Sequence, residues 1–231
     1  MKYFSNIGIY FIMLGQVFKR PQKRSIFRES LFKEIEELGL KSLGIVAFIS
    51  FFVGGVVAIQ TALNVDSPWI PKYLIGFATK RSIILEFAPT FMSIILAGKV
   101  GSYITSSIGT MRVTEQIDAL EVMGVNALNY LVLPKVVAAV FFYPFIVLLA
   151  MFLGIFGGWA SGFMTGLFTS DNFIQGIRLD FHPYLIRYAL IKTMVFAFVI
   201  ATIPSYSDCD VNALSREVVG ASNESEVRPS L

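Results

Sequence analysis

The chain has 231 residues, of which 55% are hydrophobic, 14% aromatic and 15% charged, with a formal net charge of +3. This composition, with a mean hydropathy of +0.68, excludes an ordinary soluble domain and indicates an integral membrane protein, whose basic residues flank apolar segments rather than face nucleic acid. The single cysteine, Cys209, and the single histidine, His182, exclude an intramolecular disulfide and a cysteine-rich or histidine-rich metal centre.

Residues 1–41 are predicted to form interfacial or amphipathic helices. The apolar segment Tyr3–Phe18 spans only about 16 residues, too few for a comfortable crossing, and the basic run Lys19–Arg24 follows it. A signal peptide is the weaker alternative, because its positive charge would precede the apolar part and a small-residue cleavage site would follow. The segment Ile26–Lys41 has apolar side chains at helical spacing and predicts an amphipathic helix that leads into the membrane.

Residues 42–206 are predicted to form a membrane domain of about four spanning helices. These are Ser42–Val65, Ile83–Met111, a long segment within Val136–Ser170, and Tyr184–Pro204. The third segment is uncharged over about 35 residues, more than one bilayer requires. We favour one long tilted helix followed by a short outer segment near Asp171–Pro183, with a tight two-span hairpin as the alternative. About eight Lys and Arg residues before the first span place the N-terminus in the cytoplasm.

Two ionisable residues, Glu86 and Lys99, lie within the second predicted span. They are separated by about 20 Å along a helix, so they do not pair directly in one straight segment. An ionisable side chain inside a membrane costs several kcal/mol unless it meets a cavity, a partner or the interface, which makes both residues functional candidates. The alternative is that each side chain extends to the headgroups, and for Lys99 this interpretation is favoured.

A short polar helix, predicted over Thr114–Met123, separates the second and third spans. Thr114 is a candidate N-cap, Glu115 lies in the first turn and Gly124 follows as a candidate C-cap. Its apolar stripe comprises Val113, Ile117 and Leu120, and its acidic stripe comprises Glu115, Asp118 and Glu121. Two faces are typical of a docking element, and a solvated loop helix explains the pattern equally well.

No catalytic motif is found in the chain. It contains neither a phosphate-binding glycine-rich loop nor a Gly-x-Ser-x-Gly elbow. His182 precedes Pro183 and is interpreted as a residue of an interfacial turn. Residues 207–231 are polar and predict a disordered cytoplasmic tail. Any energy-driven function would therefore require a separate ATPase.

Three motifs carry a resemblance to a known family. They are Glu86-Phe-Ala-Pro89, Ala97-Gly-Lys-Val-Gly-Ser102 and Ile108-Gly-Thr-Met-Arg-Val-Thr-Glu-Gln-Ile-Asp-Ala-Leu120. Together they closely resemble the MlaE-type permeases, which are membrane subunits of lipid-transporting ABC systems that work with MCE proteins. The resemblance extends from about Leu38 to about Tyr206, and the Gln-Ile-Asp-Ala-Leu motif is its most specific part.

The resemblance implies an all-α permease, usually of five spans, in the inner membrane. Such a permease forms a dimer, binds two copies of a cytoplasmic ATPase that holds the ATP, and exchanges lipid with a periplasmic MCE protein. No cofactor is then expected on this chain. The implied coupling helix comprises Thr114, Glu115, Gln116, Ile117, Asp118, Ala119, Leu120 and Met123. Glu86 occupies the family position near the lipid cavity, and Lys99 is the second candidate for the lipid pathway.

The sequence departs from the family pattern at three places. Leu85 stands where an arginine is usual, and Ser107 stands where an acidic residue is common. Residues 207–231 stand where the family has a final apolar span. A truncation or a reading-frame disruption would explain this difference, and natural variation is the alternative. Two alternatives to a working permease remain at this point. One is a stand-alone membrane enzyme or channel that uses Glu86, Lys99 and His182, and the other is a truncated permease without function.

Overall fold

The computed structural model describes residues 2–18, 24–65, 69–124 and 127–208, and within these ranges it contains helices and no strand. The α-helices are α1 (Lys2–Val17), α2 (Arg24–Glu34), α3 (Leu43–Asn64), α4 (Tyr73–Ser82), α5 (Met92–Val113), α6 (Gln116–Val122), α7 (Ala127–Thr165), α8 (Ser170–Arg178) and α9 (Pro183–Asp208). Four helical rods are long and apolar enough to cross a membrane: Phe27–Asn64, Tyr73–Val113, Asn129–Thr165 and Pro183–Tyr206. This confirms the predicted all-α polytopic fold. Of the predicted polar tail, residues 209–231 lie outside the described residues.

The first rod joins two elements that the sequence predicts separately. After α2, a π-helical turn at Ile35–Gly39 and a 3-10 turn at Leu40–Ser42 lead without a break into α3. We call residues 35–42 the elbow. It packs against α7 so closely that a Cβ atom on Gly39 would lie 2.4 Å from the ring of Phe142. The amphipathic segment therefore forms part of the bundle.

The second rod begins ten residues earlier than the prediction of Ile83. It comprises α4, a π-helical segment at Ile83–Phe91, and α5. Pro89 lies inside the π-helical segment. Proline lacks the N–H that would bond to the carbonyl of Leu85 in an α-helix, and a wider helical turn accommodates the missing donor. The second rod therefore continues as a helix on both sides of Pro89.

The third rod is one long helix, so the favoured interpretation of the uncharged segment is confirmed and the hairpin alternative is wrong. Helix α7 runs over 39 residues and contains Pro134 and Pro144. It ends at Thr165, Gly166 follows with a φ of 68°, and α8 forms the predicted short segment. Gly166 supplies the left-handed backbone conformation that ends many helices.

Helices α3 and α7 make the most extensive contact in the bundle. Glycines allow their backbones to approach: a Cβ atom on Gly54 would lie 1.8 Å from the carbonyl oxygen of Gly154, and one on Gly157 would lie 2.0 Å from that of Phe51. Small residues at such crossings are typical of membrane helices, where packing rather than exclusion of water drives association. These two helices form the centre of the molecule.

Helix α1 packs on the bundle at the end where α7 begins and α9 ends. Met13 and Val17 are buried. The Tyr10 hydroxyl lies 2.7 Å from Thr202 Oγ1, and Asn129 Nδ2 donates to the carbonyl of Val17 at 2.6 Å. The helix is therefore held by specific contacts to α7 and α9, and its predicted position along the lipid headgroups stays a prediction.

The opposite end of the bundle is closed by α4 and α8. A Cβ atom on Gly76 would lie 2.3 Å from the carbonyl oxygen of Phe173, so the two helices touch through their backbones. Lys80, which is 2% exposed, donates to three carbonyls at the end of α8. These acceptors belong to Ile177 at 3.1 Å, Leu179 at 2.6 Å and Asp180 at 3.4 Å. Helix α8 is thereby fixed to the second rod.

Candidate functional site

Helix α6 lies at the α1 end of the bundle, in the connection between the second and third rods. It is shorter than predicted and begins at Gln116. The expectation that Thr114 caps it is wrong: the Thr114 hydroxyl donates back to the carbonyl of Thr110 at 2.8 Å and so completes α5. Glu115 instead has a φ of 56° and forms the turn between the helices, and its carbonyl accepts the N–H of Ala119. Gly124 has a φ of 72°, as expected after a helix end.

The two faces of α6 have different surroundings. Ile117 packs against the hydrophobic core and so anchors the helix. Glu115, Gln116, Asp118 and Ala119 are exposed, and Leu120 is half-buried. The apolar side chains beside them are also exposed, with Val113 at 85%, Val122 at 90% and Met123 at 67%. The side chain of Glu121, predicted to extend the acidic stripe, lies outside the described side chains. The chain thus presents an acidic and apolar surface next to α6 that the described residues leave exposed.

Glu86 lies in the π-helical segment and its side chain is exposed. Beside it, an open groove of about 460 Å³ runs between α3 and this segment. The groove is mainly apolar, and its lining residues are Phe52, Val53, Val56, Val57, Gln60, Thr61, Ser82, Phe87 and Phe91. Clefts of this size and character are typical of sites for apolar ligands. Glu86 is not a lining residue itself, and it directly precedes Phe87, which is one.

Lys99 is placed away from this groove. Its Nζ donates to the backbone carbonyl of Lys41 in the elbow. Lys41 itself forms an exposed ion pair with Glu37 one turn earlier. The structure does not bring Glu86 and Lys99 together, in agreement with their spacing, and the assignment of Lys99 to a lipid pathway stays a prediction.

A third ionisable residue, Lys192 in the fourth rod, was missed. Its half-buried Nζ lies 3.4 Å from the carbonyl oxygen of Leu85, the residue next to Glu86, and 5.9 Å from the ring centroid of Phe196. In an α-helix the carbonyl of Leu85 would accept the N–H of residue 89, but Pro89 has no N–H. The carbonyl is therefore available to accept a hydrogen bond from the Lys192 ammonium group. The sequence signal was a lone lysine within the apolar segment Tyr184–Pro204.

A buried ion pair between the first and third rods was also missed. Lys135 Nζ lies 2.6 Å from Glu34 Oε1, and the two side chains are 2% and 14% exposed. The same Nζ donates to Ser107 Oγ at 3.2 Å and lies 4.8 Å from the ring centroid of Tyr103. We call Glu34, Tyr103, Ser107 and Lys135 the polar cluster. It joins α2, α5 and α7 on the α6 side of the bundle.

The described residues contain no arrangement suited to catalysis or metal binding. His182 Nε2 lies 2.6 Å from Asp180 Oδ1 in an exposed turn, where Asp180 has a φ of 52°. No group of three His, Cys, Asp or Glu residues in the described ranges could hold a metal ion. Cys209 lies outside the described residues. His182 thus occupies a turn, as its sequence position before Pro183 predicts.

Comparison with known proteins gives a consistent result. A family model described as Permease MlaE matches residues 31–231. A probable ABC transporter permease protein of Rickettsia prowazekii is 34% identical over 212 residues, which cover 90% of this chain and 80% of the relative. An intermembrane phospholipid transport system permease protein MlaE of Haemophilus influenzae is 28% identical over 222 residues, covering 96% of this chain and 84% of that protein.

Proposed function

This chain belongs to the MlaE permease family, and from that premise we propose that it moves phospholipid or a related lipid between the inner and outer membranes. As an ABC transporter permease it is a non-catalytic, multi-pass subunit of the inner membrane. We assign the hydrolysis of ATP to a separate cytoplasmic ATPase that binds the nucleotide. The phospholipid named for the Haemophilus influenzae relative supports the choice of substrate class.

The observation that carries this proposal is the exposed surface of α6. An anchored helix with a free acidic and apolar face is suited to dock into a soluble partner, because burial of Val122 and Met123 would provide affinity and the carboxylates would provide orientation. We propose that Thr114, Glu115, Gln116, Ile117, Asp118, Ala119, Leu120 and Met123 form the coupling helix. Ile117 serves as its attachment to the bundle.

The groove beside Glu86 is the proposed start of the lipid pathway. Its apolar lining suits acyl chains, while Gln60, Thr61 and Ser82 suit the polar part of a lipid. Glu86 and Lys192 lie at the depth of the π-helical segment that forms one wall of this groove, and ionisable groups inside a membrane mark transport pathways. Lys99 remains a second candidate for the pathway.

We propose four kinds of partner for the assembly. These are a second copy of this permease, two copies of the ATPase, a periplasmic MCE protein and the lipid itself. The N-terminus and α6 would then lie in the cytoplasm, since an even number of crossings separates them. We expect no nucleic-acid partner. A stand-alone channel would conduct or transfer lipid as the purified chain without an ATPase, which distinguishes it from the proposed subunit.

Docking can be tested by removing two charges from α6 without altering its turn. The variant Glu115→Asn with Asp118→Asn keeps a residue that tolerates a positive φ at position 115, so the local backbone is preserved. We expect the amount of ATPase that copurifies with the permease to fall about tenfold, as loss of two interfacial charges implies, and ATP-dependent lipid transfer to fall with it. The matched control is Asp171→Asn, an exposed carboxylate on α8 at the opposite end of the bundle.

Unchanged capture of the ATPase by the double variant would overturn the docking role of α6. The control variant must retain wild-type capture, because α8 lies away from the proposed interface. Lipid transfer by the wild-type permease in the absence of ATPase would overturn the proposed energy coupling.

A further inference from the structure

The polar cluster connects the two helices that flank α6 in the chain, α5 and α7, with α2. Lys135 lies in the early part of α7, the helix that follows α6, and its Nζ reaches Ser107 and Tyr103 on α5, the helix that precedes α6. Its ion-pair partner, Glu34, is the last residue of α2 and directly precedes the elbow. One side chain on α7 therefore contacts α5 and the last residue of α2, directly before the elbow, at the same time.

The cluster lies close to α6 along both helices that flank it in the chain. Ser107 precedes the start of α6 by nine residues, and Lys135 follows the start of α7 by eight residues, which is about two to two and a half helical turns in each case. Helices α5 and α7 are the covalent connections of α6, and a displacement of α6 acts on both of them. The ammonium group of Lys135 joins the two helices through its bond to Ser107.

Stability alone does not account for this ion pair. Desolvation of two buried charges offsets most of their attraction, so an apolar pair of similar volume would stabilise the fold equally well or better. The second carboxylate oxygen, Glu34 Oε2, is buried and has no hydrogen-bond partner within the described part of the chain. A buried pair with one unsatisfied oxygen is better suited to select one arrangement of the helices over others than to add to the stability of the fold.

We propose that the Lys135–Glu34 pair is a positioning contact that transmits movement of the coupling helix to the elbow and thereby to the first rod. This inference rests on the proposed function, because it assumes that an ATPase acts on α6. The elbow receives a second contact from α5, where Lys99 donates to the carbonyl of Lys41. Movement of α7 is thus delivered to the residue directly before the elbow, Glu34, and movement of α5 to Lys41 near the end of the elbow.

The test uses a variant in which both charges are removed together, Glu34→Gln with Lys135→Met. Removal of Lys135 alone would leave a buried carboxylate unpaired and risk misfolding, whereas removal of both charges preserves volume and folding. The matched control is Glu37→Gln, which removes the exposed ion pair to Lys41 in the same elbow. The complete complex with ATPase and MCE protein is placed in phospholipid vesicles that contain a fluorescent phosphatidylethanolamine, and ATP hydrolysis and lipid transfer are measured in parallel.

We expect the double variant to hydrolyse ATP within about twofold of the wild-type rate but to transfer at least about fivefold less lipid per ATP, the lower end of typical coupling between sites. The control variant should match the wild type in both measurements. Wild-type transfer per ATP in the double variant, or an equal loss in the control, would overturn the proposal.

A second measurement separates this inference from the proposed function. In the permease alone, amide hydrogen exchange should become faster over residues 24–42 and 116–122 in the double variant, and stay unchanged in α8. Unchanged exchange at the elbow and α6 would overturn the physical link between them. Absence of ATP-dependent lipid transfer in the wild-type complex would overturn the proposed function. The hydrogen-exchange result would still show whether the elbow and α6 are physically coupled.

Discussion

Lys80 and its neighbour Arg81 show how adjacent cations can have different environments. Successive helical residues differ in direction by about 100°, so only one of the two faces α8. Lys80 is buried and donates to carbonyls of α8, whereas Arg81 is exposed. The contacts of Lys80 therefore give this cation a structural role that Arg81 does not share.

We predict that Lys80→Met destabilises the attachment of α8. Three carbonyl oxygens lose their shared donor, and we expect the free energy of unfolding to fall by about 2 kcal/mol, within the usual cost of unsatisfied buried polar groups. Denaturant unfolding in detergent micelles and protease cleavage near α8 report the change. Arg81→Met is the control, and an equal loss in that variant would show that charge, not the carbonyl contacts, is responsible.

Side chains could be singled out from the sequence where the signal lies within one segment. Glu86 and the exposed residues of α6 belong to this class, and their roles stay predictions. Lys135 was missed because its partner, Glu34, lies 101 positions earlier in the chain. Periodicity within a helix carries no information about such a contact, which depends on how two helices cross. The capping role of Thr114 failed for a local reason, since its hydroxyl completes α5.

At the scale of elements, the glycines of α3 divide into two kinds. Gly54 faces the backbone of Gly154 on α7, whereas a Cβ atom on Gly44 would meet no atom within 4 Å. The same residue type thus allows close helix packing at one position and has no packing role at the other. The crossing of α3 and α7 therefore depends on particular glycines.

We predict opposite outcomes for alanine at these two positions. Gly54→Ala forces the helices apart and should lower the free energy of unfolding by about 3 kcal/mol, as overpacking in a tight core does. Gly44→Ala should be neutral or stabilise by up to about 1 kcal/mol, because alanine favours a helix. Thermal unfolding of the purified permease in detergent measures both. Equal stabilities for the two variants would contradict the role of close backbone contact.

The length of the apolar segments was sufficient to predict the four rods, including the single long α7. The joints between helices were not predictable in the same way. Elbow residues 35–42 and the π-helical segment Ile83–Phe91 continue a helix through places where the amphipathic pattern changes or a proline occurs. Such continuity depends on tertiary packing, which holds the chain in less common helical turns. The sequence therefore indicates the rods better than their boundaries.

At the scale of the whole molecule, the short helices are separated by end. Helix α6 lies at one end, and α4 and α8 lie together at the other. Four rods with short connections place α6 on the same side as the N-terminal helices. The positive charge that precedes the first rod favours the cytoplasm for that side.

We predict this topology to be visible by thiol labelling. In a Cys209→Ser background, a cysteine in place of Asp171 should react with a membrane-impermeant maleimide in intact spheroplasts. A cysteine in place of Gln116 should react only after the membrane is permeabilised. Both positions are exposed, so accessibility within the fold does not limit either reaction. The reverse pattern would invert the proposed orientation, and labelling of both positions in intact spheroplasts would contradict the number of crossings.

Because the second rod is continuous, a small tilt at one of its ends produces a larger displacement at the other. Tyr73–Val113 comprises 41 residues, which corresponds to about 60 Å of helix from the α6 end to the α8 end. If the rod pivots at its α6 end, a tilt of about 5° displaces its far end by about 5 Å, roughly the spacing of one helical turn. Because Lys80 attaches α8 to this rod, α8 travels with it. A small rotation beside α6 thus becomes a large displacement at the opposite end of the bundle.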